Sequence, residues 1–255
     1  MGRRPADGRI VGVHLEPWLA AAGDLLLGAS CHGCGTPWWG VCPSCRARLR
    51  SCRPRLARPD APPACFPLTV SCSPYDDLLR GLVSAHKDRG ALGLSPLLAD
   101  RLAQSVHALL AGIQTRGPVL LVPVPSAAAA VRRRGFDATF TLARLAARQL
   151  RGRYDLRAVH VLAQRTALAD QAGLDAAGRR ANLDGGLRLR RSRTGLLGRP
   201  LGAPVVLVDD VVTTGASLAE AARVLSGARV PVVGAATVAA TERRVPPGRG
   251  PLPER

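Results

Sequence analysis

The stretch Val205-Val-Leu-Val-Asp-Asp-Val-Val-Thr-Thr-Gly-Ala-Ser217 decides how the rest of this chain is read. Four branched or long aliphatic residues, Val205 to Val208, have the length and apolarity of a buried strand. They deliver two adjacent carboxylates, Asp209 and Asp210, and then a turn, Thr213-Thr-Gly-Ala-Ser217. A helical pattern of Leu218, Ala222 and Leu225 follows directly. A helix start offers unpaired N–H groups and the positive end of the helix dipole, so it attracts phosphate. Gly215 permits close backbone approach, and Thr213, Thr214 and Ser217 add hydroxyl donors. Carboxylates repel phosphate, so Asp209 and Asp210 call for a different partner, either a ribose diol or hydrated Mg²⁺. The plain alternative is an ordinary strand-to-helix turn with Asp209 as a cap. The acidic pair and the hydroxyl-rich turn in that order argue for the ligand.

Outward from this stretch, strand and helix patterns alternate. Leu97, Leu98, Leu102, Val106, Leu109 and Ile113 recur at helical spacing. Val119 to Val124 is an apolar run ending in Pro123-Val-Pro125, and a helical pattern follows through Phe140, Leu142, Leu145, Ala146 and Leu150. Ala158 to Leu162 is a short apolar stretch, and Val230 to Ala240 supplies a further strand. Such alternation predicts an α/β domain with a mainly parallel sheet flanked by helices, whose ligands sit beyond the carboxyl ends of the strands.

The N-terminal part reads differently. Cys31-His-Gly-Cys34 and Cys42-Pro-Ser-Cys45 are two C-x₂-C pairs seven residues apart. That spacing suits a tetrahedral four-thiolate zinc site of structural type, with no open coordination position. Two disulfides, or redox use of one pair, are the alternatives; the absence of an export signal and the idle second pair weigh against them. His32 is a substitute ligand by type, while Cys52, Cys65 and Cys72 lack partner spacing. The expected organisation is an N-terminal segment with this zinc-ribbon-like module over 1–52, a Pro-, Ala- and Arg-rich linker over 53–74, the α/β domain over 75–245 and a disordered tail over 246–255. An amphipathic stretch, Trp18 to Leu27, is expected against the knuckles.

With 255 residues and 47% hydrophobic side chains the chain can bury one good core plus a small appendage, built mainly from Leu, Val and Ala because aromatics make up only 3%. No apolar run reaches membrane-spanning length, and the N-terminus does not read as a signal peptide, so a cytoplasmic location is expected. The net charge of +18 invites nucleic acid as a partner. Lys87 is the one lysine, however, and the arginines are spread along the chain among abundant Ala, Gly and Pro, which also fits a GC-rich coding bias. Weak affinity for nucleic acid is compatible with this pattern; sequence-specific binding is not indicated.

The segment from Val205 to Ser217 resembles the 5-phosphoribosyl 1-pyrophosphate (PRPP) motif of type I phosphoribosyltransferases. The resemblance implies that Asp209 and Asp210 take the ribose hydroxyls and that Thr213, Thr214, Gly215, Ala216 and Ser217 hold the 5′-phosphate, with Mg²⁺ accompanying PRPP. Further segments narrow it. The order Cys31/Cys34/Cys42/Cys45, Tyr75 and Lys87, Val122-Pro-Val-Pro125, Arg134-Gly-Phe136, Thr166…Gln171…Leu174…Arg179…Asn182 and the acidic motif resembles the ComF family. Members of that family are phosphoribosyltransferase-like proteins associated with DNA uptake in competence, some with an amidophosphoribosyltransferase-like description. The resemblance implies PRPP as ligand, single-stranded DNA and DNA-uptake or recombination proteins as partners, and a structural zinc. Arg132-Arg-Arg134 and Gly135, just past a strand end, are candidate pyrophosphate contacts by residue type, since guanidinium groups pair with phosphate oxygens, a solvated basic turn being the plain alternative. Lys87, Val124, Pro125, Arg165, Gln171 and Arg179 join Arg134 and Gly135 as candidate contacts to pyrophosphate or to a covering loop. The family's Asn-Gln after Gly-Phe is Asp137-Ala138 here, and Gly185-Gly-Leu187 stands where an aromatic is usual. Three functions remain open: a PRPP-binding protein for DNA handling, an active Mg-dependent phosphoribosyltransferase acting on a nucleobase or amine, and a non-catalytic zinc and nucleic-acid module.

Overall fold

The computed structural model describes residues 29–113, 117–165, 186–190 and 203–241. The expectations for Trp18 to Leu27, for the stretch containing Gln171 and Arg179, and for the tail over 246–255 lie outside the described residues. Elements run in the order α1 (Pro43–Ser51), β1 (Arg55–Leu56), β2 (Thr69–Pro74), α2 (Asp77–Asp88), a 3₁₀ turn (Leu92–Leu94), α3 (Ser95–Ala111), β3 (Val119–Pro123), α4 (Ala128–Arg134), α5 (Ala138–Gln149), β4 (Leu156–Ala158), β5 (Leu162–Gln164), β6 (Leu187–Leu189), β7 (Val205–Val212), α6 (Ala216–Gly227) and β8 (Val232–Ala240).

Among the described residues, six strands form one sheet in the order β1-β2-β8-β7-β3-β4. All neighbours from β2 to β4 are parallel, and only β1 is antiparallel. This is the mainly parallel, helix-flanked sheet expected from the alternating patterns. Strand periodicity divides the core cleanly. Leu121, Val206 and Val208 belong to the cluster that includes Leu82, Leu98, Leu102 and Leu142 from α2, α3 and α5. Their sequence neighbours Leu120, Val122, Val205 and Leu207 belong to the cluster that includes Leu218, Ala222 and Leu225 from α6. Strands covered on both faces read as continuous apolar runs, which is why Val205 to Val208 carries no alternation.

Three features were not visible in the sequence. β7 runs on to Val212, pairing with β8 through Val212↔Ala240, so Asp209 and Asp210 lie within the strand rather than after it. The stretch 53–74, expected as a linker, carries β1 and β2, and β2 is a buried strand registered against β8. Its Ser, Cys and Pro content hides a strand that sheet pairing imposes. A separate two-stranded antiparallel sheet, β5 with β6, stands apart from the main one.

The cysteine module is fused to this frame. Cys31, Val41, Cys42, Cys45 and Leu49 share a core with Leu78, Leu79 and Leu82 of α2. Two glycines make the contact: a Cβ on Gly33 would fall 2.2 Å from Leu78 Cδ1, and one on Gly81 would fall 2.3 Å from the His32 carbonyl oxygen. Among the described residues no helix is long and apolar enough to cross a membrane.

Candidate functional site

The carboxyl ends of β2, β3 and β7 open onto one cavity of about 360 Å³, within the range of small-ligand pockets. Its polar lining comes from Tyr75, Ser84, Lys87, Asp88, Ser126, Asp209, Asp210, Thr213 and Ser217, with Val124 and Pro125 forming one wall. Eight of the residues singled out in the sequence, Tyr75, Lys87, Val124, Pro125, Asp209, Asp210, Thr213 and Ser217, therefore meet in one place. Thr214, Gly215 and Ala216 belong to the turn that starts α6 but are not among the cavity's lining residues. Gly215 is the N-cap of α6 at φ +77°, and Thr214 Oγ1 accepts the Ala216 N–H at 3.4 Å. Glycine is needed at 215 for a second reason, because a Cβ there would come within 2.5 Å of the Phe66 ring.

The centre of the cavity is an ion pair. Lys87 Nζ, in the last turn of α2, donates to Asp210 Oδ2 at 2.8 Å across 123 residues of sequence. Asp76 starts that helix by accepting the Leu79 N–H at 3.0 Å, and its other oxygen pairs with Arg48 of α1 at 2.6 Å. Burial opposes ionisation of Asp210, yet the Lys87 ammonium, together with hydrogen bonds from Asp209 and the Val211 N–H, holds this carboxyl below the usual range. Burial likewise opposes charge on Lys87, but Asp210 raises its pKa overall. Asp209 behaves oppositely: burial and the neighbouring Asp210 charge push its carboxyl well above the usual carboxylate range. Two adjacent carboxylates thus have divergent proton affinities, a pattern typical of ligand sites.

Other candidates fall elsewhere. Arg134 Nε donates to the Ala130 carbonyl at 2.9 Å and its Nη1 to the Lys87 carbonyl at 3.0 Å. Gly135, at φ +75°, ends α4 and returns its N–H to the Val131 carbonyl at 2.9 Å. Asp137 caps α5 through the Phe140 N–H at 3.1 Å, and Ala138 is buried behind it. Asp serves as well as Asn in that capping role. Arg165 lines a neighbouring cavity of about 230 Å³ with Gln164, Gly186, Leu187 and Glu220, and that cavity shares Val124, Pro125 and Ser217 with the first. Ser126 ends the Pro123-Val-Pro-Ser126 turn expected at a ligand-facing strand end, while Ser84 and Asp88 escaped sequence reasoning. Ser84 and Asp88 sit one turn apart on the helix that carries Lys87, so a helical period counted from the Asp76 cap was the signal that could have found them.

The four thiols of Cys31, Cys34, Cys42 and Cys45 lie within 4.8 Å of one another. Cys42 is the N-cap of α1 and Cys45 sits in its first turn. Cys31 Sγ accepts the N–H groups of Gly33 at 3.4 Å and Cys42 at 3.3 Å, which suits a thiolate. The Ser44 hydroxyl helps lower the Cys42 thiol to about 6, and Thr36 lowers Cys34. Burial raises Cys45. This donor set is able to hold a metal ion, whose charge would deprotonate Cys45 as well.

Residues 140–250 match the family model described as the phosphoribosyl transferase domain. The chain is also 30% identical over 201 residues to the DNA utilization protein YhgH of Salmonella typhimurium (strain LT2), a match covering 73% of this chain and 84% of that protein.

Proposed function

The chain belongs to the family of phosphoribosyltransferase-domain proteins that includes this Salmonella typhimurium relative, and we propose that its cavity binds PRPP together with Mg²⁺. The observation that carries this is the Lys87–Asp210 pair beside Asp209, Thr213 and Ser217. One cavity thereby offers acceptors for a sugar diol, and a cation with hydroxyl donors for phosphate. Asp209 and Asp210 would take the 2′- and 3′-hydroxyls. Thr213 to Ser217, at the N-terminus of α6, would hold the 5′-phosphate, where N–H groups and the helix dipole favour an anion. Lys87 would exchange Asp210 for pyrophosphate oxygens, leaving Asp210 free for the ribose. Asp209 and Asp210 also suit the Mg²⁺ carried with PRPP, which when bound would neutralise the pyrophosphate as a leaving group.

The protein is of ComF type in this reading, a PRPP-binding protein that handles single-stranded DNA. The relative's name and the net charge of +18 support the DNA role. The four cysteines hold a structural zinc, and the module braces α2 through Gly33 and Gly81. If PRPP also reacts, a nucleobase nitrogen or amine displaces pyrophosphate at the ribose C1. The residues around the cavity then act by orientation and charge stabilisation. Phosphorus NMR of PRPP with Mg²⁺ and protein tests the reading: binding broadens or shifts the PRPP signals, and added nucleophiles release pyrophosphate only if the transferase is active. Unchanged spectra at protein excess count against it. Retention of single-stranded DNA on a filter across a salt series tests the partner, because phosphate contacts weaken steeply with salt.

A further inference from the structure

The Arg134-Gly-Phe136 segment stood out in the sequence as a candidate pyrophosphate contact, yet its side chains do something else. The Arg134 guanidinium spans two carbonyl oxygens, that of Ala130 in its own helix at 2.9 Å and that of Lys87 at 3.0 Å. The second bond ties α4 to the last turn of α2, where helix carbonyls lack intrahelical partners. Phe136 reaches the same turn from beyond Gly135. Its ring meets the His86 ring edge-on, with centroids 5.6 Å apart. His86 is itself 1% exposed and bonded through Nε2 to Ser95 Oγ at 2.9 Å, at the start of α3. Successive residues of α2, His86 and Lys87, are therefore gripped by Phe136 and Arg134. Neither Arg134 nor Phe136 lines the cavity that Lys87 enters.

We infer that Arg134 and Phe136 are positioning residues for the ribose-phosphate site: they fix the last turn of α2 so that the Lys87 ammonium meets Asp210 and stands ready for an anionic ligand. Lys87 has a long, flexible stem, so whether its ammonium reaches Asp210 depends on where its backbone is held. The fork of Arg134, bonded to the Lys87 carbonyl, holds that backbone. Gly135 makes the arrangement reachable, because its left-handed backbone turns the chain sharply between the two gripping side chains. Resting on the PRPP reading for its ligand, this assigns the Arg-Gly-Phe segment an indirect role in place of direct pyrophosphate contact.

Lys87 is the one lysine in the sequence, so protein grown on isotope-labelled lysine gives a single ε-methylene correlation by NMR. That signal is compared in wild type, Asp210→Asn, Arg134→Met, Arg134→Lys and Phe136→Leu, with zinc content and thermal midpoint as controls for folding. PRPP–Mg²⁺ affinity is measured on the same samples and on Lys87→Met with and without Arg134→Met. Both Arg134 variants should move the lysine signal toward its position in Asp210→Asn and weaken PRPP binding about tenfold. The effect should not add to that of Lys87→Met. Arg134→Lys is the discriminating variant and covers the case in which Arg134→Met misfolds. It keeps the positive charge but loses the two-carbonyl fork, so positioning predicts that it behaves like Arg134→Met. Near-wild-type binding by Arg134→Lys, full additivity with Lys87→Met, or an unmoved lysine signal would overturn the inference. Absence of PRPP binding in wild type would instead contradict the ligand reading, and the NMR comparison would still decide the positioning role.

Discussion

Lys87 and Asp210, 123 residues apart in sequence, meet at 2.8 Å in the lining of the cavity. The pair joins the helix braced by the cysteine module to the strand that carries the acidic motif.

The pair sets an acid dependence. Asp210 titrates below its usual 3.8, so its contribution to stability is fully present above that value and is lost as pH falls through the lower folded value. Lys87→Met removes the ammonium that lowers it. Acid unfolding followed by circular dichroism should then begin at a higher pH than in wild type.

Asp209 has the opposite sign. Its folded pKa lies well above 3.8, so ionising it costs stability at neutral pH. Asp209→Asn should stabilise the protein near pH 7, since it removes a buried charge beside Asp210, while weakening PRPP binding. A raised thermal midpoint with reduced affinity would mark a site held at the expense of stability.

Gly215 is constrained twice, by φ +77° and by the Phe66 ring at 2.5 Å from a built Cβ. Gly215→Ala should cost about 1–2 kcal/mol for the left-handed backbone alone, plus the displacement of Phe66. In a Phe66→Ala background the penalty should fall to the backbone part, as measured by denaturant unfolding.

The cysteine cluster should reveal itself by selective chemistry. When metal-free protein is treated with a thiol alkylating agent at neutral pH, Cys34 should be modified first of the four cluster thiols, because it is exposed and its pKa is lowered. Cys45 should react last, since it is buried and raised. Loading with about one zinc per chain should protect all four thiols, as read by mass spectrometry. Gly81→Ala should loosen the module from α2, since its methyl would meet the His32 carbonyl at 2.3 Å. A stability loss of about 1–3 kcal/mol is expected from that overlap.

The helices α3, α5 and α6 and the strands β3, β7 and β8 were legible because each carries an apolar period or run long enough to speak for itself. β2 was hidden, since Thr69-Val-Ser-Cys-Ser-Pro74 gains its strand from pairing with β8 and not from its own composition. In the cavity, Asp209, Asp210, Thr213 and Ser217 were legible as one contiguous motif, and the ComF resemblance supplied Lys87. Ser84 and Asp88 were not, because they reach the cavity from the helix that carries Lys87 and belong to no contiguous motif. Arg134 shows the limit most plainly. Its residue type and its place after a strand end pointed to phosphate, while its hydrogen bonds go to two backbone carbonyls that no sequence pattern reveals.

The central claim is that the acidic pair and the turn after it bind PRPP. The most direct test is calorimetric titration of PRPP with Mg²⁺ into wild-type protein and into the Asp209→Asn/Asp210→Asn double variant, both confirmed as folded. Saturable binding by wild type, weakened at least about tenfold in the double variant, is the predicted result. Equal affinity in the two proteins, or no heat of binding in wild type, would contradict it.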